Sequence, residues 1–372
     1  MLSTKIRRNA VDTKRVSKID LLPSKMGSDG RGNSPSNSPT IFPLFNKLAF
    51  GRKVGEEIVV ENGCENVVND FTLNDSTKAN DRAKLHKRAR AKYFTNSIAI
   101  GLANLDSPLQ KRYWNTYHCC HALEACNGKV TGKYCKNRWC MICNRIRTAQ
   151  LMIQYLPTIR NWGNDIWFVT LTIVNPVPEK LAEAINEMES TFKRISETLR
   201  KRGSPLVCIR KTECTKQPNR DDYHPHFHVI VKGKTNAIEL RKQWIQRNAT
   251  CNHTYQDIKH ANEDSVKELF KYFTKIISGK RQTGERKIVL SDLDWIFRSM
   301  MGRQVFQSFG FKRAALPTGD DASAESEAME YAESSVFEWI DDLRDWVDTR
   351  TGEKLTNYKP SEAFENLMQS IK

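Results

Sequence analysis

His224-Pro225-His226-Phe227-His228-Val229-Ile230-Val231 is the stretch from which the fold is read. Side chains alternate between the two faces of a strand, so His226 and His228 share one face while Phe227, Val229 and Val231 share the other. Such a strand packs its apolar face on helices and leaves its histidine face for chemistry. The run LVCIRKTEC (206–214) just before it reads as a second strand, joined to the first by a polar turn. Further upstream, IWFVTLTIV (166–174) is rich in β-branched and aromatic residues and reads as a buried strand. Glu179 to Arg202 places Leu181, Ile185, Met188, Phe192, Ile195 and Leu199 at three- and four-residue steps, the apolar stripe of a helix. Residues 236–247 and 264–277 also read as helices, with a strand at 253–259 between them. Strands and helices mix without regular βα alternation. The expected class is therefore α+β, an antiparallel sheet covered by helices, over 155–312.

The histidine face has a specific use. Two neutral imidazoles one strand pitch apart suit a divalent ion. Glu213 sits near the end of the preceding strand, and antiparallel pairing brings it to the same face. Two nitrogens and one carboxylate leave positions open for a phosphate oxygen and water. A His-x-His pair also occurs in cupin-type metal sites, which want a carboxylate shortly downstream on a glycine-punctuated barrel. Here the next acid is Glu239, on an expected helix, and the helical content argues against a barrel.

VKELFKYFTK (266–275) supplies a candidate nucleophile. On a helix, Glu268, Tyr272 and Lys275 lie four and three residues apart and share a face. A phenolate can attack phosphorus and form a covalent phosphotyrosine. Lys275 is suited to neutralising the phosphate or lowering the tyrosine pKa, and Glu268 to activating water. Taken alone, a tyrosine among Leu269, Phe270 and Phe273 also fits a core position.

Six of the ten cysteines lie between Cys119 and Cys143. Cys140-Met-Ile-Cys143 is a CxxC, with Cys135 five residues earlier. This spacing points to a structural zinc in a small segment at 113–150. Cys120 is taken as the fourth ligand, with Cys119 and Cys126 as alternatives. Lys133, Lys136, Arg138, Arg145 and Arg147 surround the cluster and suit DNA phosphates.

The charge distribution agrees. The net charge is +16, yet residues 317–372 hold 14 acidic and 5 basic residues, so the rest of the chain is more basic still. A strongly basic body points to nucleic acid as partner. The acidic C-terminal tail (317–372) is expected to tune DNA binding rather than chemistry, with one helix around 335–347. Residues 1–100 read as a weakly structured basic region, ending in a helical basic stretch at 81–94. Mean hydropathy is −0.59. No apolar run approaches a membrane span, and the first residues lack the apolar core of a secretory signal; the expected setting is cytoplasmic.

FVTLT (168–172), HPHFH (224–228) and ELFKYFTK (268–275) resemble, in order and spacing, the three motifs of plasmid-type rolling-circle replication initiators of the HUH endonuclease superfamily. The single tyrosine preceded by Glu268 resembles the branch in which glutamate replaces a second tyrosine. The resemblance covers roughly 113–312 and includes YCKNRWCMICNRIR (134–147) and DWIFRSMMGRQVFQSFGF (294–311). It implies His226, His228 and Glu213 as ligands of Mg²⁺ or Mn²⁺, Tyr272 as nucleophile, and Glu268 as base for a terminating hydrolysis, with Thr170 or Thr172 near the site. The implied reaction nicks one strand of single-stranded or cruciform origin DNA. It leaves a 5′-phosphotyrosyl enzyme and a 3′-OH primer, with a host helicase and polymerase as further partners. A transposase or relaxase of the same superfamily is the nearest variant. A non-enzymatic zinc-dependent DNA-binding regulator and a cupin-like metalloenzyme are the readings of other classes.

Overall fold

The computed structural model describes residues 80–126, 129–217, 220–270, 288–316, 327–328 and 335–371. They form two antiparallel sheets with helices between and around them.

The sheet that carries the histidine strand contains β3 (Ile166–Thr172), β4 (Cys208–Lys216), β5 (Tyr223–Lys232), β6 (Asp257–His260) and β7 (Phe306–Phe309), in the order β6-β3-β5-β4-β7. Every pair is antiparallel. Its face bearing Val169, Leu171, Phe227, Val229 and Val231 is covered by α4 (Leu181–Lys201) and α5 (Lys234–Arg247). The α4 stripe is as expected: Leu181, Ile185, Met188, Phe192, Ile195 and Leu199 are all buried. Phe192 meets Phe227 edge-on with centroids 5.5 Å apart, and Trp244 of α5 meets the same ring at 5.6 Å. The opposite face carries Phe168, Ile209 and Ile230 into a second core shared with α3 (Met141–Asn161), α6 (Glu263–Phe270) and α7 (Leu290–Met300). The α+β expectation agrees with this mixture of helices and antiparallel sheet. The strand expected at 253–259 is shorter, because His253–Tyr255 forms a 3-10 turn before β6.

The second sheet joins the cysteine-rich segment to the C-terminal part of the chain. It contains β1 (Ala122–Cys126), β2 (Lys129–Gly132), β8 (Glu327–Ala328), β9 (Ser335–Ile340) and β10 (Asp345–Asp348), in the order β10-β9-β1-β2-β8. Residues 335–347 are thus a hairpin, not the expected helix. The reason is legible in the alternation: Ser335, Phe337 and Trp339 are buried while Val336, Glu338 and Ile340 are exposed, the period of a strand. Arg344 adopts a positive φ of 53° in the turn, and Trp346 then lies directly opposite Trp339 with ring centroids 4.8 Å apart. A final helix, α8 (Glu362–Gln369), is capped by the Ser361 hydroxyl, which accepts from Phe364 N–H. It seats Phe364 against Phe94 of α1 (Asn80–Ala103). Residues 335–340 and 345–348 of the acidic C-terminal part are therefore built into the second sheet.

The helix expected at 81–94 is the first half of α1, which takes residues 80–100 out of the weakly structured region; residues 1–79 lie outside the described residues. The short helix α2 (Gln110–Tyr117) leads into the cysteines. No helix among the described residues is long and apolar enough to cross a membrane.

Candidate metal centre and cysteine cluster

Antiparallel register assembles the first site. Thr170 of β3 and Lys211 of β4 both lie opposite His228, while Thr172 and Glu213 lie opposite His226. Cross-strand partners share a face, so six side chains from three strands meet there. Glu213 Oε2 stands 3.2 Å from His226 Nε2 and 3.0 Å from His228 Nε2. These three ligand atoms all lie within 4.8 Å of one another. Metal bonds of about 2.1 Å at right angles put neighbouring ligand atoms about 3 Å apart, so the carboxylate-to-histidine distances fit adjacent positions around an octahedral ion.

The surroundings hold the ligands in place. His226 Nδ1 lies 3.0 Å from the carbonyl oxygen of His224, and His228 Nδ1 lies 3.4 Å from Thr170 Oγ1. A carbonyl beside Nδ1 fixes the tautomer that presents Nε2 to a metal. His228 is kept below its ordinary pKa chiefly by burial, which favours the neutral, ligating imidazole. Burial works against the Glu213 charge, but the Lys211 ammonium and the two adjacent histidines outweigh it and hold the carboxyl well below the usual range. Lys211 is a residue the sequence reading missed. Its Nζ is 2.5 Å from Glu213 Oε1, and the side chain is 1% exposed.

Thr172 is pinned from the other side. Gln256 Oε1 accepts from Thr172 N–H at 2.7 Å, and Gln256 Nε2 donates to Thr172 Oγ1 at 2.8 Å. Gln256 is buried, so Gln256→Ala strips a buried amide of its acceptor. The expected cost is about 1–3 kcal/mol in chemical denaturation. An unchanged midpoint would mean that the Gln256 clamp adds nothing to stability.

Glu268 is half-buried on α6, and its carbonyl oxygen lies 3.4 Å from Lys211 Nζ. Phe270, at the end of that helix, stacks on Phe306 of β7 with centroids 5.9 Å apart. The helix thus packs on the side of the sheet that carries Glu213, His226 and His228. Tyr272 and Lys275 lie outside the described residues.

The cysteine cluster forms from three local pieces. Cys119 follows α2, Cys135 follows β2, and Cys140 and Cys143 sit at the N-terminal end of α3. Cys119 Sγ is 3.6 Å from both Cys143 Sγ and Cys140 Sγ, and Cys135 Sγ is 3.7 Å from Cys143 Sγ. A disulfide would need about 2.05 Å. Four sulfurs at about 2.3 Å from a tetrahedral zinc stand about 3.8 Å apart, close to what is seen. Backbone N–H groups of Cys135 and Lys136 point at the sulfurs of Cys119 and Cys143, at 3.4 and 3.3 Å.

The fourth member is Cys119, which corrects the choice of Cys120. Adjacent residues diverge here because Cys120 takes a left-handed φ of 52°. Its sulfur faces the Arg88 guanidinium at 3.9 Å, and its carbonyl accepts from Trp346 Nε1 at 2.8 Å. Lys92 was also missed. It is fully buried, and its Nζ donates to the carbonyls of Tyr117 and Cys119 at 2.6 and 2.8 Å. Burial lowers its pKa, opposed by the nearby thiols of Cys119, Cys120 and Cys140.

Of the basic residues singled out, Lys133 and Lys136 are exposed while Arg138, Arg145 and Arg147 are half-buried. Arg147 Nη2 donates to the Lys136 carbonyl at 2.8 Å, so it braces the loop. Lys136 and Arg138 line a cavity of about 230 Å³ with Arg112, Trp139, Phe297 and Met300. Arg112 carried no cluster or motif to mark it in the sequence.

Residues 129–257 match the Replication protein family. The matched span includes Cys135, Cys140, Cys143 and the whole Glu213–His226–His228 triad, and it ends before Glu268. Among curated relatives, the chain is 30% identical over 161 residues to a "Protein rep" of a Bacillus species, covering 42% of this chain and 48% of that one. It is 33% identical over 120 residues to a "Protein rep" of Staphylococcus aureus, covering 30% and 51%. A "Protein rep" of Bacillus amyloliquefaciens is 34% identical over 107 residues, covering 28% and 32%. The chain thus spans about half the length, or less, of these replication proteins. No solved structure matches it.

Proposed function

We propose that the protein is a rolling-circle replication initiator that nicks one DNA strand at an origin through Tyr272 and a divalent ion. The convergence of Glu213, His226 and His228 on one sheet face, beside the helix that carries Glu268, is the observation that carries this reading. Tyr272 stands four residues after Glu268 in the sequence. The likeness of 129–257 to replication proteins supports it.

Glu213, His226 and His228 would hold Mg²⁺ or Mn²⁺, which when bound polarises a phosphate oxygen as a Lewis acid. The Tyr272 oxygen attacks phosphorus. The O–P bond to tyrosine forms, the P–O3′ bond breaks, and the departing 3′ oxygen takes up a proton to become the primer hydroxyl. Lys275 neutralises the phosphate. Glu268 serves the later hydrolysis by taking a proton from water. Lys133, Lys136 and Arg138 offer cations to the DNA backbone, with Arg112 beside them. Host helicase and polymerase then act on the exposed 3′-OH. The test is incubation of supercoiled DNA carrying the gene's own flanking sequence with protein and Mn²⁺. A nicked circle with protein on its 5′ end is expected; DNA bound but uncut would favour a non-enzymatic regulator.

The cysteine cluster would hold one structural Zn²⁺ through Cys119, Cys135, Cys140 and Cys143. Structural zinc contributes folding free energy directly. Cys119→Ser is therefore expected to lower zinc content and melting temperature, and Cys120→Ser to keep the zinc. Metal analysis that finds the reverse would reassign the fourth ligand.

A further inference from the structure

We propose that Lys211 is a positioning residue of the metal centre: it holds one oxygen of Glu213 so that the other serves the ion, and it leaves the ion's charge for the scissile phosphate. The inference rests on the metal-centre reading above.

The two carboxylate oxygens of Glu213 are divided between partners. Oε1 is 2.5 Å from Lys211 Nζ, while Oε2 is the atom near both histidine Nε2 atoms. Lys211 is 1% exposed and lies directly across from His228 in the ladder. Below it, Nζ stands 5.7 Å from the centre of the Phe306 ring. The same Nζ lies 3.4 Å from the Glu268 carbonyl oxygen. The ammonium thus sits between the third ligand and the helix that carries Glu268, in a setting where an ion is held only by specific partners.

Two consequences follow. A carboxylate free at both oxygens can take a divalent ion bidentately. With Oε1 on Lys211, Glu213 supplies one oxygen and leaves a position for phosphate or water. The second consequence concerns charge. Histidines ligate as neutral imidazoles, so Lys211, Glu213 and the two histidines together carry no net charge. A bound divalent ion then keeps its full +2 for a phosphodiester whose negative charge grows as the tyrosine attacks. Without the ammonium the ligand set is anionic, which favours the metal and disfavours the phosphate.

That opposition gives the test. Lys211→Met keeps an unbranched side chain and removes the charge. Mn²⁺ affinity is read by electron paramagnetic resonance, folding by thermal melting, and nicking by single-turnover rate at saturating Mn²⁺. The expected result is Mn²⁺ affinity unchanged or tighter, with nicking slowed at least tenfold and partly restored in Lys211→Arg. A merely structural lysine would lower affinity and rate together. Weaker Mn²⁺ binding, or a wild-type rate at saturation, overturns the proposal. Should Lys211→Met fail to fold, Lys211→Gln is judged by the same two readouts. If the wild-type protein and His228→Ala bind Mn²⁺ equally, the metal-centre reading itself fails, which separates the two claims.

Discussion

Truncation before residue 335 is expected to cost the protein the fold around its cysteine cluster, not merely its acidic charge. β9 pairs with β1 along Ala122–Ala125, and Trp339 N–H donates to the His121 carbonyl at 2.8 Å, two residues from Cys119. Trp346 is fully buried and donates to the Cys120 carbonyl. Phe337, Trp339, Phe364, Leu367 and Met368 are buried as well. Loss of one large buried aromatic side chain costs about 3–5 kcal/mol, against a typical total stability of about 5–15 kcal/mol. Removing four such aromatic side chains, two further buried apolar ones and two strands exceeds that total. The truncated protein should be insoluble or zinc-depleted, and Trp346→Ala should lower the melting temperature with DNA-independent loss of zinc. A soluble truncation with full zinc content and normal nicking would favour the purely electrostatic role that composition suggests for 317–372.

The hairpin found where a helix is expected at 335–347 marks which features a sequence exposes. The His-x-His strand was legible because the period of two is local, and antiparallel pairing then fixes which face Glu213 shares. The α4 stripe was legible for the same reason. The second sheet was not, because β1 and β9 are more than two hundred residues apart, and the acidic turn Asp341-Asp342 hid an otherwise clear alternation. Cys119 and Cys120 are adjacent, so spacing alone leaves them equal; only the positive φ at Cys120 separates them. Lys211 escaped notice because a lysine in a strand ordinarily reads as a solvated position, and its burial depends on α6 and Phe306 arriving from far along the chain.

The second large effect is expected at the Glu213–His226–His228 site and at Tyr272. His228→Ala removes one nitrogen of the triad while leaving β5 paired along its backbone. Lewis-acid stabilisation is worth several kcal/mol, and each 1.36 kcal/mol is tenfold in rate. His228→Ala should therefore slow nicking by roughly a thousandfold and leave DNA binding near normal, because the basic residues around the cysteine cluster are untouched. Tyr272→Phe keeps the ring but lacks the attacking oxygen, so its nicking should fall to background with Mn²⁺ binding intact. Glu268→Ala should still nick and become attached to DNA, and fail only in release. Equal loss of DNA binding in all three variants would point to misfolding rather than chemistry.

The most direct measurement is mass spectrometry of the peptide spanning Tyr272 after reaction of the full chain with its flanking single-stranded DNA and Mn²⁺. The account predicts a nucleotide 5′-phosphate joined to the Tyr272 oxygen, absent from Tyr272→Phe and strongly reduced in His228→Ala. A covalent adduct on any other residue, or nicking without an adduct, would contradict it.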